Sequence, residues 1–305
     1  MIDRAEKGKE QIENAILNFP NLVPDDIDLS AFMEDEQIHR IKKASAYRDK
    51  LIELIENGGE RGHAMPWDSV GKSFEFRESE LTVWAGYKGH GKSLVISQVF
   101  EKFIMDGKKV FIISPEFPPH RLLHRMMIQS FGLHQQSRKL AIDFIDAIND
   151  QLWIYDQQSS LKPNDVPALC RYAVDRLGVN HVLIDSLMKC GMAPDDYAKQ
   201  KHLVDSVQQV AHRSKAHIHL VAHMRKDKSD GSIGGLHDVK GGSEIADMAE
   251  NVLIVWRNKE KEQGGGRMDE PDCVIKVDAQ RNADGWIGKI PLWYNKETMT
   301  FRDGQ

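Results

Sequence analysis

From residue 80 onward the apolar positions fall in short unbroken runs. Glu80-Leu81-Thr82-Val83-Trp84-Ala85, Lys109-Val110-Phe111-Ile112-Ile113 and Leu152-Trp153-Ile154-Tyr155 each read as a buried strand. So do His181-Val182-Leu183-Ile184-Asp185 and His217-Ile218-His219-Leu220-Val221-Ala222. Asn251 to Trp256 and Cys273 to Val277 follow. Helical spacing of apolar residues separates the earlier runs, over about Ser93–Met105, His120–Gln129, Val166–Leu177 and Lys201–Ser214. Near-continuous apolar strands alternating with helices predict an α/β fold: a mainly parallel sheet covered on both faces. The last strands, joined across Gly264-Gly265-Gly266, predict an antiparallel extension of it.

Residues 1 to about 60 are patterned differently. A short helical stretch, Lys9 to Leu17, runs into Pro20-Asn21-Leu22-Val23-Pro24, which breaks it. A longer helix is predicted from about Leu29 to Ile55, with Ile41, Tyr47, Leu51, Ile52 and Ile55 on one stripe. Two readings fit this arm: a helix packed on its own domain, or one that docks on a neighbouring subunit. The glycine-rich stretch from Asn57 to Gly62 is a plausible hinge. The expected division is a helical arm over residues 1–60 and one α/β domain over 61–305.

Composition narrows the class. The chain has 305 residues, 41% of them hydrophobic, enough for a sizeable core, and 29% charged. The net charge of −5 does not advertise a nucleic-acid partner. A local basic strip, or a channel shared by several subunits, binds phosphates on an acidic protein all the same. Cys170, Cys190 and Cys273 have no metal-ligand spacing, which argues against a zinc site or a disulfide framework. No apolar run reaches membrane-spanning length, and the first residues read as neither a secretion signal nor a transit peptide. The expectation is a cytoplasmic protein with no membrane contact.

The chemistry centres on Gly86-Tyr87-Lys88-Gly89-His90-Gly91-Lys92-Ser93, followed by Leu94. This fits the phosphate-binding P-loop, and it stands where the motif requires, between a strand and a helix. The glycines let the backbone turn and aim N–H groups at a polyphosphate, beside the positive end of the following helix. Lys92 reaches the β- and γ-phosphates, and the Ser93 hydroxyl binds Mg²⁺.

In an open α/β sheet, ligands sit at the carboxyl ends of strands. One strand ends in Ser114-Pro115-Glu116, and a carboxylate there can orient or deprotonate an attacking water. The next ends in Asp185, the Walker B arrangement for holding Mg²⁺. A third ends in His223, placed to hydrogen-bond a γ-phosphate. His217 and His219, which alternate along that strand, read as structural.

Two loops are candidates for a polymer contact, about Lys189 to Lys201 and Arg225 to Ser243. The second interleaves Arg225, Lys226, Lys228 and Lys240-Gly241-Gly242-Ser243 with further glycines, a strip that can follow a phosphate backbone. Without aromatics it offers no base stacking; the alternative is a solvated surface loop. Finally, Ala279-Gln280-Arg281-Asn282 follows a strand, and an Arg at such a turn can serve a neighbour's nucleotide as an arginine finger.

Taken in order, these residues resemble the RecA-like motor domain of ring-shaped replicative DNA helicases: the DnaB family, phage primase–helicases and mitochondrial Twinkle. The resemblance covers about residues 61–305. It rests on the P-loop, Glu116, Asp185, His223 and Gln280-Arg281-Asn282. The stretch Asp238-Val239-Lys240-Gly241-Gly242-Ser243 also looks like the family's DNA-binding loop. The resemblance implies a bacterial or phage-encoded hexameric ring with ATP, or another NTP or dNTP, and Mg²⁺ at subunit interfaces. It implies single-stranded DNA in the central channel, and a primase or polymerase as possible partner. Lys92, Ser93, Glu116, Asp185 and His223 would act within one subunit and Arg281 on the neighbour's γ-phosphate. Lys240 and its glycines would hold DNA phosphates, and helix 29–55 would dock on the next protomer. One departure is Ala279, where the family usually carries a second cation, a lysine. Two other readings share the motifs: a RecA-like recombinase that coats single-stranded DNA, and a RecA-fold ATPase that acts on protein.

Overall fold

In a computed structural model of the chain, residues 41–133, 136–225, 232–241, 243–282 and 284–304 are described. The chain divides into two compact units, Met1–Gly59 and Glu60–Gln305. In the first, a short 3₁₀ turn over Ala44–Tyr47 leads into helix α1, Arg48–Glu56. The helix predicted from residue 29 therefore starts later in its described part, and Ile41 precedes it. The rest of that prediction, and the stretch Lys9 to Leu17, lie outside the described residues. Tyr47, Leu51, Ile52 and Ile55 are exposed.

The second unit opens with a small antiparallel pair, β1 (Gly62–Ala64) and β2 (Glu75–Arg77). Strand β3 (Leu81–Ala85) leads through the P-loop to α2 (Lys92–Met105). Then come β4 (Val110–Ile113), α3 (Pro119–Phe131), α4 (Arg138–Ile148), β5 (Leu152–Tyr155) and α5 (Asp165–Tyr172). Next are β6 (His181–Ile184), α6 (Tyr197–His212), β7 (His217–Val221), α7 (Ser243–Met248) and β8 (Asn251–Arg257). The chain closes with α8 (Lys259–Glu262), β9 (Cys273–Gln280), β10 (Gly288–Asn295) and β11 (Thr300–Arg302).

Among the described residues the main sheet has nine strands in the order β11-β10-β9-β8-β3-β7-β6-β4-β5. The six from β5 to β8 are parallel, and β9, β10 and β11 extend them antiparallel. This is the predicted α/β architecture, including the antiparallel extension. β3 lies between β7 and β8, so the loop after it leaves the middle of the parallel array. One apolar layer packs α2, α3 and α4 on one sheet face, with Trp84, Phe100, Phe103 and Ile112 at its centre. The other packs α5, α6 and α7 around Val83, Ile113, Val182, Leu220 and Ile254. Cys170, Cys190 and Cys273 are buried free thiols. Among the described residues no helix is long and apolar enough to cross a membrane.

Helix α4 was not foreseen. Its signal is weak but physical: Ser137 caps it by accepting from the Leu140 N–H at 3.1 Å, and Phe144 and Ile148 bury one face. Strands β10 and β11 were also missed, because exposed and half-buried positions alternate along them with the buried ones.

A chain of imidazoles runs through the first apolar layer. Trp84 can only donate, so its Nε1–H fixes His219 Nδ1 as an acceptor, at 3.1 Å. The proton of His219 therefore sits on Nε2 and is donated to His181 Nδ1 at 3.0 Å. His181 Nε2–H in turn donates to His63 Nδ1 at 2.6 Å. His217 is set separately, with Nδ1–H on the Arg77 carbonyl and Nε2 accepting from the Thr82 hydroxyl at 2.7 Å. Burial pushes His181 and His219 well below the ordinary histidine value and His217 down to about 3. These are core histidines, as the alternation of His217 and His219 along β7 suggests.

Candidate nucleotide site

The P-loop is built by close approach. A Cβ on Gly86 would stand 2.5 Å from the carbonyl of Val255 on β8, so only glycine lets the loop leave the sheet there. Gly91, at φ 79°, turns the chain into α2 and serves as its N-cap. His90 is buried and accepts the Arg257 main-chain N–H on Nδ1 at 3.1 Å, tying the loop to the end of β8.

Lys92 is 6% exposed, and its Nζ donates to the carbonyls of Gly86 at 2.8 Å and Tyr87 at 3.1 Å. Burial lowers its pKa to about 8, against the opposing pull of Asp185 and Glu116. A polyphosphate arriving in the cradle would restore the charged form. The Ser93 hydroxyl donates to Asp185 Oδ2 at 3.1 Å. Asp185 is pushed up to about 6 by burial and by Glu116, while Ser93, Lys92 and Arg125 pull it down. Glu116 is held from the other side, by the Ser186 hydroxyl donating to Oε1 at 2.9 Å. His223 lies with Nδ1 3.4 Å from Lys92 Nζ, its pKa lowered by burial and by that lysine. Five sequence-predicted residues, from three strand ends and the P-loop, thus line one cleft: Lys92, Ser93, Glu116, Asp185 and His223.

The donor set suits a hard divalent cation. A hydroxyl and a carboxylate in contact are the two protein oxygens that Mg²⁺ takes when phosphates and water fill its other positions. Among the described residues no group of three His, Cys, Asp or Glu forms a site made of protein alone.

Among the residues of the cleft region that were not foreseen are Arg125, Arg257 and Tyr294. Arg125, on α3, lines the cleft and lies 4.2 Å above the Phe117 ring; burial lowers its pKa, against the opposing pull of Asp185. Arg257, at the end of β8, reaches Gly89 O with Nη1 at 3.4 Å and Glu262 with Nε at 2.6 Å. Tyr294 of β10 joins Arg257, Leu94 and Phe301 around a second hollow beside the P-loop. No short pattern marks these three; each reaches the cleft or the hollow beside it from an element outside the P-loop.

Arg281 lies elsewhere. Gln280 pairs with Asn251, which pairs with Thr82, whereas the P-loop follows Ala85. The exposed Arg281 thus sits at the opposite end of the sheet from the P-loop, ~15 Å away at the rise of a β-strand. Its own main-chain N–H donates to Glu250 O at 2.9 Å. β9 extends through Ala279 and Gln280, so the turn begins later than predicted. Ala279 is half-buried and packs against the apolar layer of α5 to α7.

The candidate polymer loop springs from the end of β7. Met224 bridges Val239, the Arg225 N–H donates to Asp238 O at 2.8 Å, and the Lys240 N–H donates to His223 O at 2.7 Å. Arg225 is exposed and Lys240 half-buried. Gly241 takes φ 109°, and a Cβ there would stand 2.6 Å from Gln200 Oε1. Lys226 and Gly242 lie outside the described residues, and Ser243 is described only as the start of α7.

Residues 72–303 match the model of the DnaB-like helicase C-terminal domain. A Twinkle homologue of Arabidopsis thaliana, described as chloroplastic and mitochondrial, is 22% identical over 279 residues. That match takes in 85% of this chain but 38% of the relative, so the chain spans about two fifths of its length. Among solved structures, one ATPase domain superposes with a TM-score of 0.71 at 15% identity, over 87% of this chain and all of that one. A DnaB-like replicative helicase studied with its primase gives 0.68 at 15% identity, over 98% of this chain and 77% of that one. A KaiC-like protein of Pyrococcus horikoshii gives 0.58 at 12% identity, over 80% of this chain and 98% of that one. These superpositions establish the fold.

Proposed function

This chain belongs to the family of DnaB-like helicase C-terminal domains, and from that premise we propose that it is an ATP-dependent replicative helicase motor. It hydrolyses ATP, or another NTP or dNTP, with Mg²⁺, to translocate on single-stranded DNA and unwind duplex. The observation that carries this reading is the meeting of Lys92, Ser93, Glu116, Asp185 and His223 in one cleft, with Arg281 at the far end of the sheet.

The P-loop N–H groups and Lys92 bind the phosphates, with the nucleobase in the hollow between Arg257 and Tyr294. Ser93 and Asp185 hold Mg²⁺, which when bound neutralises charge on the β- and γ-phosphate oxygens. Glu116 orients the attacking water and takes its proton. His223 hydrogen-bonds the γ-phosphate and registers its loss. Arg125 adds positive charge on the side facing Asp185.

Arg281 is too far from its own P-loop to reach the nucleotide bound there. In a ring it is offered to the next subunit's γ-phosphate. This favours a homo-oligomer, by family resemblance a hexamer, whose sites are complete only between subunits. Arg225, Lys226 and Lys240-Gly241-Gly242-Ser243 line the channel and hold DNA phosphates. The arm over residues 1–60 docks on a neighbour through the exposed apolar residues of α1. Primase is the partner suggested by one of the similar helicases. The similarity to a KaiC-like protein keeps a second reading open, a RecA-fold ATPase acting on protein.

Unwinding of a forked duplex, with Lys92→Ala as control, tests the proposal. ATP-dependent unwinding that the variant abolishes would establish it. ATPase stimulated by single-stranded DNA without unwinding would point to a translocase that needs a further domain, or to a recombinase. Indifference to DNA would favour the protein-directed ATPase.

A further inference from the structure

Strand β9 carries one residue too many. Val252 of β8 pairs with Ala279 and Leu253 pairs with Val277, so Asp278 is the extra residue of a β-bulge. The bulge changes which way the strand faces. Val277 belongs to the apolar layer under α2, and Ala279 packs on the opposite layer under α6 and α7. A bulge of this kind re-aims a side chain, and the one it re-aims here is a carboxylate.

That carboxylate reaches the polymer loop. Asp278 Oδ2 accepts the main-chain N–H of Leu236 at 2.6 Å, where the 3₁₀ turn Leu236–Asp238 begins. Its other oxygen, Oδ1, pairs with Lys276 Nζ at 2.5 Å, and the Asp278 side chain is only 13% exposed. The preceding N–H, of Gly235, is taken by Asp238 Oδ2 at 2.8 Å. A largely buried carboxylate accepting a backbone N–H is a strong, short bond, and Lys276 offsets the cost of burying it.

The loop therefore has two anchors. One is the end of β7, through the bonds of Lys240 to His223 and Arg225 to Asp238. The other is Asp278, three residues before Arg281 on the same strand. Beyond Asp278 the strand end is fastened to the sheet by Arg281 N–H on Glu250 O at 2.9 Å and by Asn282 Nδ2 on Glu80 Oε1 at 2.7 Å.

We propose that Asp278 is a positioning residue that ties the DNA-facing loop to the strand bearing the trans-acting arginine. The inference rests on the reading of this loop and of Arg281 given above. A displacement of the loop on binding DNA phosphates then reaches two nucleotide sites. Through His223 it reaches the subunit's own site, and through Asp278 and β9 it reaches the site completed by Arg281 on the neighbour. Asp278 touches neither substrate; it links the loop to the strand that carries Arg281, whose own end is held by Glu250 and Glu80.

The test is the ratio of DNA-stimulated to basal ATPase in the full chain, with single-stranded DNA as the probe. Asp278→Ala should leave basal turnover essentially unchanged and lower the stimulation ratio by about fivefold or more, the usual size of a coupling between sites. Asp278→Asn should keep most of it, because the amide oxygen still accepts from Leu236. Leu236→Pro removes the donor instead of the acceptor. It suits the first position of the turn after an extended Gly235 at φ −126° and ψ 178°, and should reproduce the loss if Asp278→Ala fails to fold. Wild-type stimulation in both Asp278→Ala and Leu236→Pro overturns the proposal, as does equal loss in Asp278→Ala and Asp278→Asn. Two controls separate its failure from that of the underlying reading. Lys240→Ala with unchanged DNA affinity removes the loop from the DNA, and Arg281→Ala with full turnover removes the finger; either result takes the proposal down with that reading.

Discussion

The main-chain N–H of Lys240 donates to the carbonyl of His223 at 2.7 Å, and the His223 ring lies 3.4 Å from the P-loop lysine. One residue thus faces the nucleotide cleft with its side chain and holds the base of the polymer loop with its backbone. The two jobs use different atoms of His223, so they can be separated by substitution.

Replacing the ring alone should break communication and spare nucleotide binding. His223→Ala keeps the carbonyl that anchors Lys240 but loses the hydrogen bond to a γ-phosphate. DNA-stimulated turnover should fall by about tenfold or more, the size of one lost hydrogen bond to a charged group, with nucleotide affinity changed less. His223→Gln, which still offers a hydrogen-bonding side chain, should recover part of the loss. Steady-state ATPase with and without single-stranded DNA, beside equilibrium nucleotide binding, reads the split.

Arg281 should act across a subunit boundary. Arg281→Ala is expected to lower turnover by about 10³-fold, the size of an arginine-finger effect, with nucleotide binding nearly intact. Mixing Arg281→Ala with Lys92→Ala chains should restore measurable activity. Some sites in a mixed ring then take an intact P-loop from one variant and an intact finger from the other. Absence of recovery in rings shown to be mixed would place Arg281 outside the neighbour's site.

The hollow beside the P-loop should contribute affinity for the base. Tyr294→Ala removes an aromatic wall opposite the Arg257 guanidinium. Loss of a stacking contact worth about 1 kcal/mol predicts a KM raised severalfold to tenfold with kcat little changed. A comparison of nucleotides differing only in the base should show discrimination flattened in the variant. Unaltered KM for every nucleotide would move the base elsewhere.

Acid should destabilise the fold through its core histidines. His217 titrates near 3 when folded, against an ordinary 6.5, because burial disfavours its charged form. The unfolded chain therefore binds the extra proton first. The stability contributed is complete above pH 6.5 and is lost as pH falls toward 3. Asp185 and Glu101, raised to about 6 and about 7 by burial, work in the opposite direction. The measurement is accordingly a difference. The unfolding free energy of His217→Asn, followed from pH 7 to pH 4, should fall less steeply than that of the wild type, by up to about 1.4 kcal/mol per pH unit. Parallel curves would mean that His217 is not neutral in the folded protein.

Some of this was legible because it is local. Four of the seven predicted strands, β3, β4, β6 and β7, are buried at every position, so unbroken apolarity marked them without reference to anything distant. The P-loop is stated by eight consecutive residues because its chemistry is made by consecutive backbone N–H groups. Glu116, Asp185 and His223 were found from a topological rule, that strand ends converge, and the sheet order puts them where the rule requires. Helix α4 and strands β10 and β11 were not found, because their buried positions are too sparse to outweigh the polar residues between them.

The sequence by itself determined the parallel α/β core, the P-loop and the strand-end residues that face it, since each depends on periodicity or on neighbours in the chain. Only the tertiary structure decided which distant side chains join them. Arg125, Arg257 and Tyr294 reach the cleft region because α3, β8 and β10 are packed there. Arg281 is kept away from its own P-loop because β9 runs antiparallel to β8. Asp278 meets Leu236 because one extra residue in β9 turns it toward the loop. Such contacts join residues far apart in sequence, and neither residue's local pattern records which partner the packing will bring.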